Sequence, residues 1–413
     1  MRLSHAFPVL LVLLLSGCGG RNNKELIAPD TAAESAAAAA KERALRQQAA
    51  LIAANLDDRQ LAAQVIITGI DGRGQLPWHM RELLEECPAG GIMLFRYNLD
   101  TGNDAIKNLI AESSALAGER CTVGLPAENE TAQNTVTVFP FIALDHEGGT
   151  VNRFPPGVAD LPPAGSYWET AQGAGRESAI VQINADSFRA GKAMNDLGVT
   201  LNFAPVAEWL NIDNRDFLED RSYGPDADFT AKAAAAFIMG MERAGLLCAV
   251  KHFPGSAGAD PHRYPSVLPG DRAVLAELTA PFAALIQDGH ARAVMVSHSL
   301  VPAWDDAIAS LSPQVMDAWL RQEMGFAGII ICDDFSMAAG SQDSLSPETA
   351  ALRSLAAGSD MVLVWPPDLR RTHLAILAAL AGGTLSRERL REAAQRIIFE
   401  KLRMEMVEVT SGT

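Results

Sequence analysis

The chain has 413 residues, 48% of them hydrophobic, enough for one large domain or two ordinary ones. Its formal net charge of −16 argues against nonspecific binding to nucleic acid or to an anionic membrane surface. An acidic balance says nothing against small neutral ligands.

At the N-terminus, Arg2 precedes an apolar segment from Ala6 to Leu15, too short to span a bilayer as a permanent helix. It runs into Leu15-Ser16-Gly17-Cys18, small residues set just before a cysteine. This resembles the lipobox of bacterial lipoprotein signal peptides; the alternative is an ordinary cleaved signal with a chance cysteine. The resemblance implies that residues 1–17 are removed and that Cys18 becomes the lipidated first residue. The expected mature protein is exported and tethered to a bacterial membrane, on its periplasmic side or at the cell surface, without spanning it. Residues 18–55 read as an Ala-rich tether, partly helical, since Thr31 to Ala50 is low in complexity and strong in helix propensity. Export makes disulfides permissible. Cys248 and Cys332 sit in apolar runs as small core residues, whereas Cys87 and Cys121 lie in polar surroundings and are candidates for a bridge.

From about Asp57 onward, short apolar runs alternate with amphipathic segments. The runs are Val65–Ile67, Gly91–Phe95, Phe141–Leu144, Val199–Phe203, Leu246–Val250, Ala293–Val296, Gly328–Ile331 and Met361–Val364. Helical stretches such as Asp228 to Ala244 and Leu311 to Met324 lie between them. Eight strand candidates separated by helices predict an α/β protein, a single (β/α)8 barrel of the TIM type over residues 56–405, with 406–413 as a tail. A doubly wound open sheet would need a Gly-rich phosphate turn after the first strand, and Thr68-Gly69-Ile70-Asp71-Gly72 does not supply it. Gly118 to Val138, polar and rich in Thr, Asn and Glu, reads as a loop insertion before the third run.

In such a barrel, polar residues just past the strand ends converge on one face. The third run ends in Asp145-His146-Glu147-Gly148-Gly149, with Arg153 behind; the fourth leads to Asn202, Glu208 and Arg221. The fifth delivers Lys251 and His252, with Asp260 and His262 following; the sixth gives Ser297-His298 and the seventh Asp333-Asp334. A metal drawn from Asp145, His146, Glu147, His252, His298 and Asp333 would lack the His-x-His or His-x-x-x-His spacing that fixes two imidazoles on one ion. A Schiff-base lysine at Lys251 would be held charged by the carboxylates crowding the same mouth. A glycosidase needs a carboxylate nucleophile and a proton donor, which Asp333 and the Asp260/His262 pair can supply. No cofactor and no metal is needed for that chemistry.

At this point the residues carry a family resemblance. Asp145 to Phe154 resembles the "DQEGGRVQRF" block of glycoside hydrolase family 3, with His146 where the block has Gln. Asn202–Val206, Arg221–Gly224, Lys251–Gly255, Ala309–Pro313 and Asp333–Met337 follow in the family's order, so the resemblance covers roughly residues 57 to 400. The Asp-x-His pair is the mark of the β-N-acetylhexosaminidase branch, which acts on N-acetylglucosamine. The resemblance implies Asp333 as nucleophile, His262 as general acid/base with Asp260 as its partner, and Asp145, Arg153, Arg221, Lys251 and His252 as ligands of the nonreducing-end sugar. The implied partner is a small N-acetylglucosaminide, and the membrane is met through the lipid anchor alone. Glu208, in place of an Asp common in the family, is expected to brace the floor, His298 to form pocket wall, and Asp334 to pair with a neighbouring loop.

The family run "KHFPGHGDTxxDSH" is two residues shorter here, lacks the His, Asp and Thr after its first glycine, and has Pro261 between the dyad members. Proline fixes its own φ and biases Asp260 away from the helical region, so a stiffer loop and a slower or differently selective enzyme are expected. Two other functions fit the same residues. One is a β-N-acetylglucosaminide phosphorylase, since a histidine acid/base repels phosphate less than a carboxylate does. The other is a sugar-binding lipoprotein that no longer turns over.

Overall fold

The computed structural model describes residues 31–126, 133–258, 264–335 and 345–411. Cys18, Asp260 and His262 lie outside the described residues. The chain divides into two units, Met1–Arg43 and Ala44–Thr413. In the first, residues 35–43 are exposed and helical. Among the described residues the second holds eleven strands: β1 (Ile66–Gly69), β2 (Gly91–Met93), β3 (Thr122–Pro126), β4 (Gln133–Val138), β5 (Phe141–Leu144), β6 (Leu201–Asn202), β7 (Leu247–Phe253), β8 (Ala293–Val296), β9 (Ile329–Cys332), β10 (Val362–Val364) and β11 (Val407–Ser411).

Eight of these form one parallel sheet in the order β10-β1-β2-β5-β6-β7-β8-β9. A parallel bridge from Ile331 to Met361 joins its two edges, so the sheet is a nearly closed barrel and the expected fold holds. Asp360, fully buried at the turn into β10, secures that seam. It accepts the Ile330 amide at 2.9 Å and pairs with Arg321, Arg389 and Arg396. Burial pushes its carboxyl up, but the three guanidiniums outweigh this and hold it below the usual range.

Strand residues alternate between two apolar layers, as the period of two requires. In β5, Ile142 and Leu144 pack outward against the helices, while Phe141 and Ala143 belong to the inner cluster with Leu201, Leu247, Ala249 and Ala293. Full burial of each such large side chain contributes about 1.5–3 kcal/mol, which is why runs of Ile, Val and Leu define the ring.

Three segments differ from the sequence expectation. Within Gly118–Val138, β3 and β4 form an antiparallel pair rather than a loop. Within the expected tail, residues 407–411 form β11, which pairs antiparallel with β4 from Val407↔Val138 to Ser411↔Asn134. Thr and Val alternate along β4, so Val136 and Val138 are buried; scattered polar residues had hidden a half-buried strand. The helix Thr31–Asn55 carries Ala49, Ile52 and Ala53 into the inner cluster, so the tether gives way to the folded unit well before residue 55. Cys87 and Cys121 are both buried and both free, which removes them as a bridge.

Beside this small sheet, Lys401 is fully buried and donates to Gln64 Oε1 at 2.8 Å, with its Nζ 5.0 Å from the centre of the Phe141 ring. Burial pushes its ammonium down to about 7.

Candidate active site

At the carboxyl ends of the strands the barrel opens into a cavity of about 470 Å³. Asp145, Arg153, Arg221, Lys251, His252 and Asp333 all line it, together with Glu147, His298, Asp334, Phe95 and Trp365. Local geometry explains how each arrives. Parity along β5 and its extension puts Ala143, Asp145 and Glu147 on the inner side. The Gly148-Gly149 turn that follows has φ of 96° and 55°, and a Cβ on Gly148 would stand 2.3 Å from the Pro162 carbonyl oxygen. Only glycine fits there. In β7 the pairing with β8 shifts register between Val250 and Phe253, so Lys251 and His252 face the cavity one after the other.

The polar floor is a buried charge cluster. Lys251 Nζ lies 2.7 Å from Asp145 Oδ1 and 2.7 Å from Glu147 Oε1. Arg221 reaches Glu147 with Nε at 2.8 Å and Nη2 at 2.9 Å, and Arg153 Nη2 reaches Asp145 Oδ2 at 3.2 Å. Burial raises the Glu147 carboxyl, but Lys251 and Arg221 overcome this and hold it far below the usual range; burial likewise raises Asp145, and Lys251 and Arg153 bring it below its ordinary value. Lys251 is pushed down by burial and up more strongly by Asp145 and Glu147, so it stays charged. Arg153 Nε is buried and has no hydrogen-bond partner among the described residues.

Around this cluster lie the positioning contacts. Glu208 Oε1 stands 2.8 Å from His252 Nδ1 and accepts its backbone N–H at 3.2 Å, while Oε2 accepts the Ser256 hydroxyl at 2.6 Å. The carboxylate therefore fixes the imidazole with Nε2 as its remaining atom. His146 is buried against Phe154 with Nε2 2.7 Å from the Ala159 carbonyl, and burial first of all pushes its imidazole down to about 4. Asn202 brackets the His146 peptide, accepting its N–H and donating to its C=O, both at 2.9 Å.

Asp333 follows β9, with Oδ1 accepting the Asp334 amide at 2.8 Å. Asp334 is in turn held by two described residues. The Trp365 indole N–H donates to its Oδ2 at 2.6 Å, and His298 Nε2 lies 3.0 Å from its carbonyl. His298 Nδ1 faces the Ser310 hydroxyl at 2.7 Å, the ring stacks on Phe335, and burial lowers its pKa. The histidine is thus a neutral support of the Asp333-Asp334 turn as well as pocket wall. The described ends of the dyad loop are also tied down: the Ala257 amide donates to Ser266 Oγ at 2.9 Å, and Ser299 Oγ donates to the Gly255 carbonyl at 2.8 Å.

One cavity thus combines a strand-end carboxylate, a cation-rich polar floor and neutral walls, as carbohydrate chemistry requires. The pattern described as the Glycosyl hydrolase family 3 N terminal domain matches residues 74–399. The chain belongs to glycosyl hydrolase family 3. This family 3 enzyme is 34% identical over 314 residues to a beta-hexosaminidase of Methylococcus capsulatus, a match covering 74% of the chain and 84% of the relative. It is 32% identical to a beta-hexosaminidase of Xanthomonas oryzae pv. oryzae, over 77% of the chain and 91% of the relative. Among solved structures it resembles a family 3 beta-N-acetylglucosaminidase from Paenibacillus sp., with TM-score 0.74 and 28% identity, over 85% of this chain and 63% of that longer one. It also resembles NagZ from Neisseria gonorrhoeae, solved with N-trifluoroacetyl-D-glucosamine, with TM-score 0.66 and 26% identity, over 81% and 89% of the two chains.

Glu147 was missing from the substrate set drawn from the sequence, although two-residue parity from Asp145 pointed to it. Phe95 and Trp365 were missed because aromatic residues at strand ends look like ordinary core.

Proposed function

We propose that this glycosidase is a retaining exo-β-N-acetylglucosaminidase, releasing terminal N-acetylglucosamine from cell-wall or chitin-type oligosaccharides. The observation that carries this is Asp333 in one cavity with the Asp145–Lys251–Glu147–Arg221 cluster, an anionic nucleophile beside a site for sugar hydroxyls. The relatives' beta-hexosaminidase and beta-N-acetylglucosaminidase names support the choice of sugar. In the first step an Asp333 carboxylate oxygen attacks the anomeric carbon as the bond to the leaving oxygen breaks, and protonated His262 gives that oxygen its proton. In the second, neutral His262 takes a proton from water, which attacks the glycosyl–Asp333 ester from the opposite side and restores the β-configuration. Asp260 favours the imidazolium and orients its tautomer.

The test is hydrolysis of an aryl N-acetyl-β-glucosaminide with the initial product anomer followed by NMR. Expected are β-anomer release, near-total loss in Asp333→Asn, and a covalent 2-fluoro-glycosyl adduct located on Asp333 by mass spectrometry. Release of the α-anomer first, or undiminished turnover by Asp333→Asn, would overturn the mechanism.

The same proposal places the protein on a membrane through lipidated Cys18. Palmitate labelling of the wild type, absent from Cys18→Ala, is expected; an unlabelled wild-type protein recovered in the aqueous phase would refute it.

A further inference from the structure

A separate cavity, of about 330 Å³, lies beside the residues that lead into β9 and shares no lining residue with the mouth of the barrel. Its charged lining is Arg46, Arg321, Arg396, Glu392 and Glu400, and Phe326 and Phe399 add two rings. The helix Arg387–Arg403 supplies Glu392, Arg396, Phe399 and Glu400 from one face, as spacings of three and four along a helix require. Arg46 comes from the part of the helix Thr31–Asn55 that belongs to the same folded unit.

Positive charge is in surplus here. Arg321, Arg389 and Arg396 all pair with Asp360, which carries a single charge. Arg321 also donates to the Phe326 and Gly328 carbonyls, at 3.2 and 3.0 Å. Arg396 gives Asp360 its Nη1 alone, at 3.0 Å, and its other N–H groups have no hydrogen-bond partner among the described residues. The Arg46 guanidinium lies over the Phe399 ring, 4.2 Å from its centre, and the π face steadies it at the cavity's edge. Of the two carboxylates in the lining, Glu400 is engaged by Arg292, and Glu392 is exposed, where water and salt screen it. Burial pushes the Arg321 guanidinium below its ordinary value, and Arg396 and Arg389 push it further against the pull of Asp360. An anion entering the cavity relieves that crowding.

We infer that this cavity is a binding site for a phosphate ester, with Arg396 and Arg46 as its ligands and Arg321 as the charge behind them. A tetrahedral oxyanion offers several acceptor oxygens to guanidinium N–H donors, a match that the planar fork suits. The cavity is larger than a bare phosphate fills, and Phe326 and Phe399 present carbon surface to the alcohol half of an ester. The chain's net charge of −16 opposes any broad attraction to anionic surfaces, so recognition is confined to the pocket. Two sources carry this chemistry. One is a soluble glycerol phosphate. The other is the headgroup of phosphatidylglycerol in the membrane to which the anchor proposed at Cys18 ties the chain, since that tether enters the folded unit at Ala44, just before Arg46.

The experiment titrates the full chain with sn-glycerol 3-phosphate by isothermal calorimetry. In a second arm, the unlipidated Cys18→Ala chain is sedimented with phosphatidylcholine vesicles made with and without phosphatidylglycerol. Saturable binding of the ester is expected, weakened about tenfold by Arg396→Gln and somewhat less by Arg46→Gln, as loss of one charge-assisted bond predicts. Arg46 is exposed and stands clear of the Asp360 seam, so its variant keeps the test standing if Arg396→Gln folds poorly. Glu392→Gln removes an exposed carboxylate and is expected to tighten binding about twofold. Arg153→Gln alters only the barrel mouth and is expected to change nothing. Sedimentation that needs phosphatidylglycerol and falls in the arginine variants assigns the site to the lipid; binding of the free ester without it assigns the soluble one. No binding in either arm, binding unchanged in the arginine variants that keep native near-UV circular dichroism, or binding abolished by Arg153→Gln would each overturn the inference.

Discussion

Arg221 grips Glu147 through two parallel bonds, Nε to Oε2 at 2.8 Å and Nη2 to Oε1 at 2.9 Å, with only 4% of the Glu147 side chain exposed. The pair is the inner anchor of the cavity's polar floor, because Lys251 leans on the same carboxylate. Glu147→Gln leaves Lys251 and Arg221 buried side by side with one counter-charge fewer. Removing one partner of such a pair costs about 3–5 kcal/mol. The expected result in urea melts is a loss of that order, and in kinetics a fall in kcat/KM of about a hundredfold as the cations move off position. Arg221→Lys keeps the charge and loses the fork, so it is expected to lie between the two.

The same cluster sets the pH range of stability. Glu147 and Asp145 have depressed folded pKa values, so their contribution is present above the unfolded carboxyl value of about 4 and is lost as pH falls through the folded one. Lys251 has a raised pKa, so its contribution is present below about 10.4 and is lost as pH rises through its folded value. Melting temperature measured from pH 3 to 11 is expected to fall on the acid side, and the fall is expected to be shallower in Glu147→Gln.

Glu208 holds two residues that line the cavity, His252 through Nδ1 at 2.8 Å and Ser256 through its hydroxyl at 2.6 Å. Glu208→Gln is expected to lower kcat/KM about tenfold or more with little change in fold, since an amide can face the imidazole in either orientation. Glu208→Asp, which restores the charge on a shorter arm, should recover part of the loss. Steady-state kinetics of the two variants beside the wild type would check this, and equal losses in both would contradict the positioning role.

Lys401 gives an opposite pH signature. Its folded pKa is lowered to about 7, so between pH 7 and about 10.5 the unfolded chain holds a proton that the folded chain has released. Stability from this group therefore rises with pH across that window. Lys401→Met removes the slope and with it the Gln64 bond, so the variant is expected to gain stability relative to wild type at pH 6–7 and to lose that advantage by pH 10. Urea melts at the two pH values would show it.

Much of the fold was legible in the sequence because every barrel strand is a short apolar run and a buried parallel strand needs nothing else. Strands β3, β4 and β11 were not, since each shows one face to water and their partners lie far apart in the chain. In the site, Asp145, Lys251 and Asp333 could be read because a charged residue directly after an apolar run has few other reasons to be there. Glu208 was read only as a brace, since its hold on His252 and Ser256 depends on a loop geometry that spacing does not encode. Phe95 and Trp365 meet over Gly69 from different strands, and nothing local announces that.

The pairing of β10 with β1, and of β11 with β4, joins segments that lie far apart in the chain. Asp333 follows β9, whose neighbour on one side is the segment leading into β10, through the Ile331–Met361 bridge. Until those pairings form, the barrel has an open flank, Trp365 is not in place beside Asp334, and the small sheet lacks its outer strand. Such long-range pairings form slowly and late. Closure of the barrel, and with it the contact of Trp365 with Asp334, therefore waits on the pairing of segments far apart in the chain.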